Sequence, residues 1–172
     1  LKAQALHSEW QEDMTSQFHN PTQIDGYFED EIDAATSLLK TLVEPLEVIR
    51  DLKLKRPMGS ALEKAKYKRL ESWRSARSTR NIRLNIESLE ALYKGLKYLL
   101  PRSNIDAIDT LFAQILQQIN ELHAPMKDSI NTPKGYANMT RAAHTLSRLH
   151  TQLKSSVARL GIHLGFNSRD GD

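Results

Sequence analysis

Apolar residues recur along this chain at three- and four-residue steps, and no segment alternates with the two-residue period of a strand. Leu6, Trp10, Met14 and Phe18 mark one face of a first helix over residues 1–19. Asn20-Pro21-Thr22-Gln23 has the chemistry of a helix start, with Asn as N-cap and Pro at the first helical position. From there Ile24, Phe28, Ala35, Leu39, Leu42, Leu46, Ile49 and Leu52 predict a long helix to about Lys53, kinked at Pro45 or broken just before it. Arg56-Pro57-Met58-Gly59 ends it. Residues 61–68 could form a short basic helix, and Glu71 to Ser78 read as irregular. Ser78 then serves as N-cap for a helix carried by Ile82, Ile86, Leu89, Tyr93, Leu96 and Leu99, which Pro101 closes. Ser103 opens the next, through Ile108, Leu111, Phe112, Ile115, Ile119 and Leu122. A last helix from about Gly135 carries Met139, Ala142, Leu146, Leu149, Leu153, Val157 and Leu160, and Gly161 suits the position just past its end. The expected fold is all-α: an up-down bundle of four long helices plus an N-terminal helix. Residues 1–172 form one domain in this reading, with 1–19 either part of the bundle or a helix shared with a preceding half.

Composition narrows the possibilities. The chain is 40% hydrophobic and 26% charged, enough to build a core without staples, and it has no cysteine. Disulfides and thiolate metal sites are therefore excluded. No apolar run reaches the roughly 18 residues of a membrane span. The net charge of +3 conceals a segregation. Residues 1–50 hold ten acids and three bases, net −7, and residues 51–100 hold five acids and thirteen bases, net +8. Lys53 to Arg83 alone carries eleven bases against two acids. With few interleaved aromatics and no nucleic-acid motif, that stretch reads as a solvated face, or one turned toward the acidic first third, and not as a nucleic-acid patch.

Two polar segments depart from the helical monotony. The first, Glu71 to Asn81, gathers Glu71, Arg74, Ser75, Arg77, Ser78 and Asn81 as it enters a helix N-terminus, where free N–H groups favour anions. Arg74 is the expected anion-facing fork, with Glu71 orienting it and Ser75 and Asn81 fixing the loop. The plain alternative is local capping and pairing. The second is the tail, in which Asn167, Asp170 and Asp172 could offer oxygen ligands, or could merely pack down behind Phe166. Asp25, Glu29 and Asp33 share a face if their helix is continuous: a solvated face, a cation site or a docking surface. His7, His19, His123, His144, His150 and His163 lack zinc-ligand spacing. There is no Gly-x-Ser-x-Gly elbow, no phosphate loop and no cysteine nucleophile.

These elements resemble the imelysin family of bacterial envelope proteins. The resemblance lies in Arg56-Pro57-x-Gly59, Glu71 to Ser75, Ser78, the Asn81-Ile82-x-x-Asn85-x-x-x-Leu89-x-x-Leu92-Tyr93 run, and the Gly165-Phe166-Asn167-x-x-Asp170-Gly171-Asp172 ending. It implies a protein of two helical halves with a functional cleft between them, of which this chain looks like the C-terminal one. It further implies a periplasmic or outer-surface location, a lipid anchor on the other half as the tie to the membrane, and a role in iron-linked metal binding or uptake. The family's proposed metal motif, Gly-x-His-x-x-Glu, is absent here. Iron or zinc would then be bound by the N-terminal half, this chain's expected partner, with no catalytic or metal residue in this chain. The rival readings are the non-ligand half of a metallopeptidase and a structural interaction module.

Overall fold

A computed structural model describes residues 2–22, 26–122, 125–162 and 164. Among these residues every regular element is helical. Helix α1 spans Lys2–His19, and α2 runs from Glu31 to Val48. A π-helical stretch, Ile49–Lys55, follows α2 without a break and passes into α3, Arg56–Met58. Three single 3₁₀ turns then lead to α4, Ser78–Leu96. Helix α5 is Arg102–Asn120, α6 the single turn Met126–Ser129, and α7 Pro133–Ala158.

Helices α2, α4, α5 and α7 alternate in direction and enclose one core. Leu42, Leu46, Ile49, Ile82, Ile86, Tyr93, Ile108, Phe112, Ile115, Leu146, Leu149 and Leu153 are buried in it. The Tyr93 ring stacks on Phe112 with centroids 5.1 Å apart, and burial pushes the Tyr93 phenol pKa up. Packing is closest between α5 and α7, and among the four helices that neighbour one another around the bundle α2 and α4 touch least. Helix α1 stands apart. Its described residues from Lys2 to Asp13 are exposed, with Leu6 and Trp10 more than 60% accessible. Its C-terminal half is fastened: Phe18 packs on Phe28 at 4.8 Å, Gln17 Oε1 accepts the Tyr27 N–H, and Asp13 accepts from the Tyr27 hydroxyl at 3.3 Å.

Several boundaries differ from the sequence pattern. Asn20-Pro21 does not start α2, which begins ten residues later. Asp30 caps it by accepting from the Asp33 N–H at 2.7 Å, and the Asp33 carboxylate in turn accepts from the Glu29 N–H at 3.2 Å. Reciprocal capping at Asp30 outcompetes a lone Asn-Pro signal. The expected acidic face is lost with it, because Glu29 precedes the helix; Asp25 lies outside the described residues. Pro45 neither ends nor interrupts α2, whose irregularity comes four residues later as the π stretch. There the bond from the Arg56 N–H reaches back five residues to Asp51. Burial accordingly steps from Ile49 to Leu54, a spacing of five, and Leu52 is left exposed. Residues 61–68 form no α-helix, only turns at Leu62–Lys64 and Tyr67–Arg69. Ser103 lies inside the first turn of α5 and caps nothing. Gly59, at φ 66°, occupies the left-handed region that terminates α3. Leu164 is buried; the remainder of the tail, including Asn167, Asp170 and Asp172, lies outside the described residues.

Candidate functional site

The loop from Glu71 to Asn81 lies against the π-helical stretch at one end of the α2/α4 side. Its backbone is unusual. Ser72 and Ala76, neither of them glycine, adopt left-handed conformations at φ 54° and 55°, flanking the single turn Trp73–Ser75. Such residues cost energy unless their surroundings hold them. Here the surroundings do. Ser75 Oγ donates to the Ser72 carbonyl at 3.2 Å, the Asn81 amide donates to Ser72 Oγ at 3.2 Å, and the Arg77 N–H donates to the Ser72 carbonyl. Ser78 Oγ donates to the Glu71 carbonyl at 2.5 Å.

Lys53, on the π stretch, locks this loop to the bundle. Its ammonium is 2.9 Å from Glu71 Oε2, and its side chain is only 16% exposed. Asn85, in the orientation its neighbours demand, accepts from Lys53 at 3.3 Å while donating to the Asn81 carbonyl at 2.6 Å. Lys53, Glu71, Asn85, Asn81 and Ser72 thus form one polar chain from π-helix to loop to α4.

The arrangement corrects two expectations. Glu71 does not orient Arg74, because Lys53 holds its carboxylate; the Arg74 guanidinium instead lies 4.5 Å over the Trp73 ring. Ser78 does not cap α4, because its hydroxyl is spent as a donor to Glu71 and Arg77 occupies the cap position. The structure does bring Glu71, Ser75, Ser78 and Asn81 together, and it leaves Arg74 and Arg77 exposed on the loop's outer side.

Next to the loop, α2 and α4 leave a groove of about 340 Å³ lined by Thr41, Pro45, Leu84, Asn85, Ser88 and Leu89. Pro45 carries no N–H, so the Thr41 carbonyl receives no helical bond from it. Val48, Leu52 and Leu84, each about 40% exposed, make this side apolar above the polar loop.

A second cluster was only partly visible to spacing arguments. Arg50 makes a bidentate contact with Asp51, at 2.8 and 2.7 Å, and also reaches Glu47 at 3.3 Å. His150, from α7, stands 3.6 Å from Glu47. The Arg50 hydrogen bond holds the Asp51 carboxyl below its ordinary range. Burial pushes the His150 pKa down, with Glu47 pulling the other way. Desolvation wins, because the side chain is only 13% exposed. Glu47 and Arg50 at i, i+3 were the one signal available in the sequence; nothing marked His150 as their neighbour. Among the described residues no three His, Asp or Glu side chains converge as metal ligands would.

The family model for imelysin matches residues 1–153, nearly nine-tenths of the chain. The chain belongs to the imelysin family. No curated protein and no solved structure matches it. The matched span of this imelysin chain includes the π stretch, the loop and all four bundle helices except the last turn of α7.

Proposed function

We propose that this imelysin-family bundle supplies one wall of an inter-domain site in the bacterial envelope, and that the wall is its α2/α4 side. The carrying observation is the Glu71–Asn81 loop. It is held in a costly backbone conformation by the Lys53–Glu71–Asn85 chain, beside an apolar groove that the bundle's own packing leaves open. A loop needed only to connect α3 to α4 has no use for two left-handed non-glycine residues. Arg74 and Arg77 supply the positive charge that a carboxylate or phosphate group would meet at the cleft.

The partner for this wall is a second helical half carrying the family's Gly-x-His-x-x-Glu motif, tethered to the membrane by a lipid anchor, with the pair working in iron-linked metal binding or uptake. In this reading the iron or zinc is held by that other half, and this chain contributes position and charge. The family's peptidase name favours a second reading, the non-ligand half of a metallopeptidase. Both are tested on the complete protein with Arg74→Ala. Its guanidinium is exposed and covers only the outer side of the Trp73 ring, so the melting temperature should stay nearly unchanged while iron uptake falls. Unchanged uptake removes Arg74 from the site. Metal-dependent peptide cleavage by the complete protein would decide for the peptidase.

A further inference from the structure

Residues 59–70, at the end of the bundle, play no part in the proposed inter-domain wall. The chain leaves α3 at Gly59 and crosses that end in three single turns before entering α4. Two small apolar anchors hold it down. Ala65 and Leu70 are buried, the Lys66 N–H donates to the Pro57 carbonyl at 2.8 Å, and Asn131 reaches the Ala65 carbonyl at 3.4 Å. Around the anchors Lys64, Lys66, Tyr67, Lys68 and Arg69 are turned outward and exposed.

None of these four cations forms an ion pair among the described residues; the bases of this stretch that do are Lys53, Lys55 and Arg83. Glu63 is the one acid between residues 52 and 70. The acids that open α2 lie far along the chain's helical path from them. The N-terminus of α2, with Asp30, Glu31 and Asp33, is 28 helical residues away along Glu31–Met58, roughly 40 Å at the α-helical rise. The charge segregation of the sequence has become a separation in space.

Among the cations stands one aromatic ring. Tyr67 is 38% exposed and meets Trp73 edge-on, with centroids 5.5 Å apart. We propose that this end of the bundle docks on an anionic lipid surface, with Lys64, Lys66, Lys68 and Arg69 facing phosphate headgroups, the Tyr67 ring at headgroup depth and Trp73 behind it as a reporter. Cations flanking amphipathic rings are the composition that such an interface selects. A nucleic acid fits less well. Single strands are gripped in grooves by rings with a free face, whereas these cations lie on the outside of a loop and Arg74 already covers the Trp73 ring.

The chain has two tryptophans, one at this end and one on α1, which makes the test directional. Trp10→Phe leaves Trp73 as sole reporter, and Trp73→Phe leaves Trp10. With phosphatidylglycerol-containing vesicles at low salt, Trp73 emission should shift to the blue and Trp10 emission should not. High salt, or vesicles of phosphatidylcholine alone, should abolish the shift. The triple variant Lys64→Gln, Lys66→Gln, Lys68→Gln should lower vesicle partitioning on the order of a hundredfold, at about fivefold per cation. The same charge removed at Arg148, Lys154 and Arg159 should lower it by less than roughly tenfold. The side chains substituted at the bundle end are exposed, and unchanged circular dichroism confirms that the variants fold. The inference is overturned by a shift confined to Trp10, by equal losses in the two triple variants, or by binding to neutral vesicles. It is overturned equally by a single-stranded oligonucleotide bound more tightly than the vesicles at the same salt.

Discussion

Lys53 shows how one side chain can organise a loop without belonging to it. The sequence offered Lys53 only as one of eleven bases, and no spacing rule separates a base that is buried and paired from its neighbours. Its distinction comes from the π stretch, which turns it toward Glu71 and Asn85. Lys53→Met keeps the aliphatic stem packed and removes the charge. Global stability should change by less than about 1 kcal/mol, since Glu71 is 43% exposed and water can take over its carboxylate. The local effect should be larger. Amide exchange at residues 72–77 should accelerate, because the left-handed turns lose the tether that holds them. Exchange unaltered in that segment would show that the loop is fixed by its internal hydrogen bonds alone.

At the scale of elements, the long apolar faces were legible. The faces around Ile82 to Tyr93, Ile108 to Leu122 and Met139 to Val157 are the buried ones, because a sustained 3.6-residue period leaves a helix little choice of orientation. Boundaries were less legible: Asp30 caps α2 through bonds confined to Glu29–Asp33, which compete with the Asn20-Pro21 signal, Arg77 precedes α4 without a side-chain cap bond, and Leu62 heads a lone turn. Of the candidate site, the loop and its internal bonds at Ser75 and Asn81 could be read from polarity, but the partner of Glu71 could not. The glycines divide in a way that only the packing reveals. Gly135, in the first turn of α7, leaves no room: an added Cβ would sit 2.0 Å from the Ser129 carbonyl oxygen. Gly135→Ala must therefore push the α6–α7 connection off the bundle, at a cost of about 3 kcal/mol. Gly95, near the end of α4, faces open space. Gly95→Ala should stabilise by about 0.5–1 kcal/mol through helix propensity. Chemical denaturation of the two variants checks both signs.

The whole molecule carries its own pH dependence. His150 sits among Glu47, Arg50, Asp51 and Lys154, and burial lowers its pKa in the folded state. The unfolded chain then binds a proton that the folded chain resists. Stability from this group is complete above its unfolded value of about 6.5 and is lost as pH falls toward the depressed folded value. Melting temperature should accordingly drop between about pH 7 and pH 5. His150→Gln should flatten that slope, whereas His144→Gln, on the exposed side of the same helix, should leave it intact. A melting temperature that rises on acidification would mean that attraction to Glu47 outweighs burial.

The π-helical stretch also amounts to a difference in counting. Between Ile49 and Leu54 the chain spends five residues where an α-helix would spend four to return to the same face. Remove one residue there, Leu52 for instance, and a plain α-helix could satisfy the same core from Leu46 to Met58. The hydrophobic bundle would hardly register the loss. What would disappear is the offset that carries Lys53 out to Glu71, and with it the hold on the loop. One surplus residue in a helix is the material difference between a bundle that only folds and one that also fixes a shaped surface along its side.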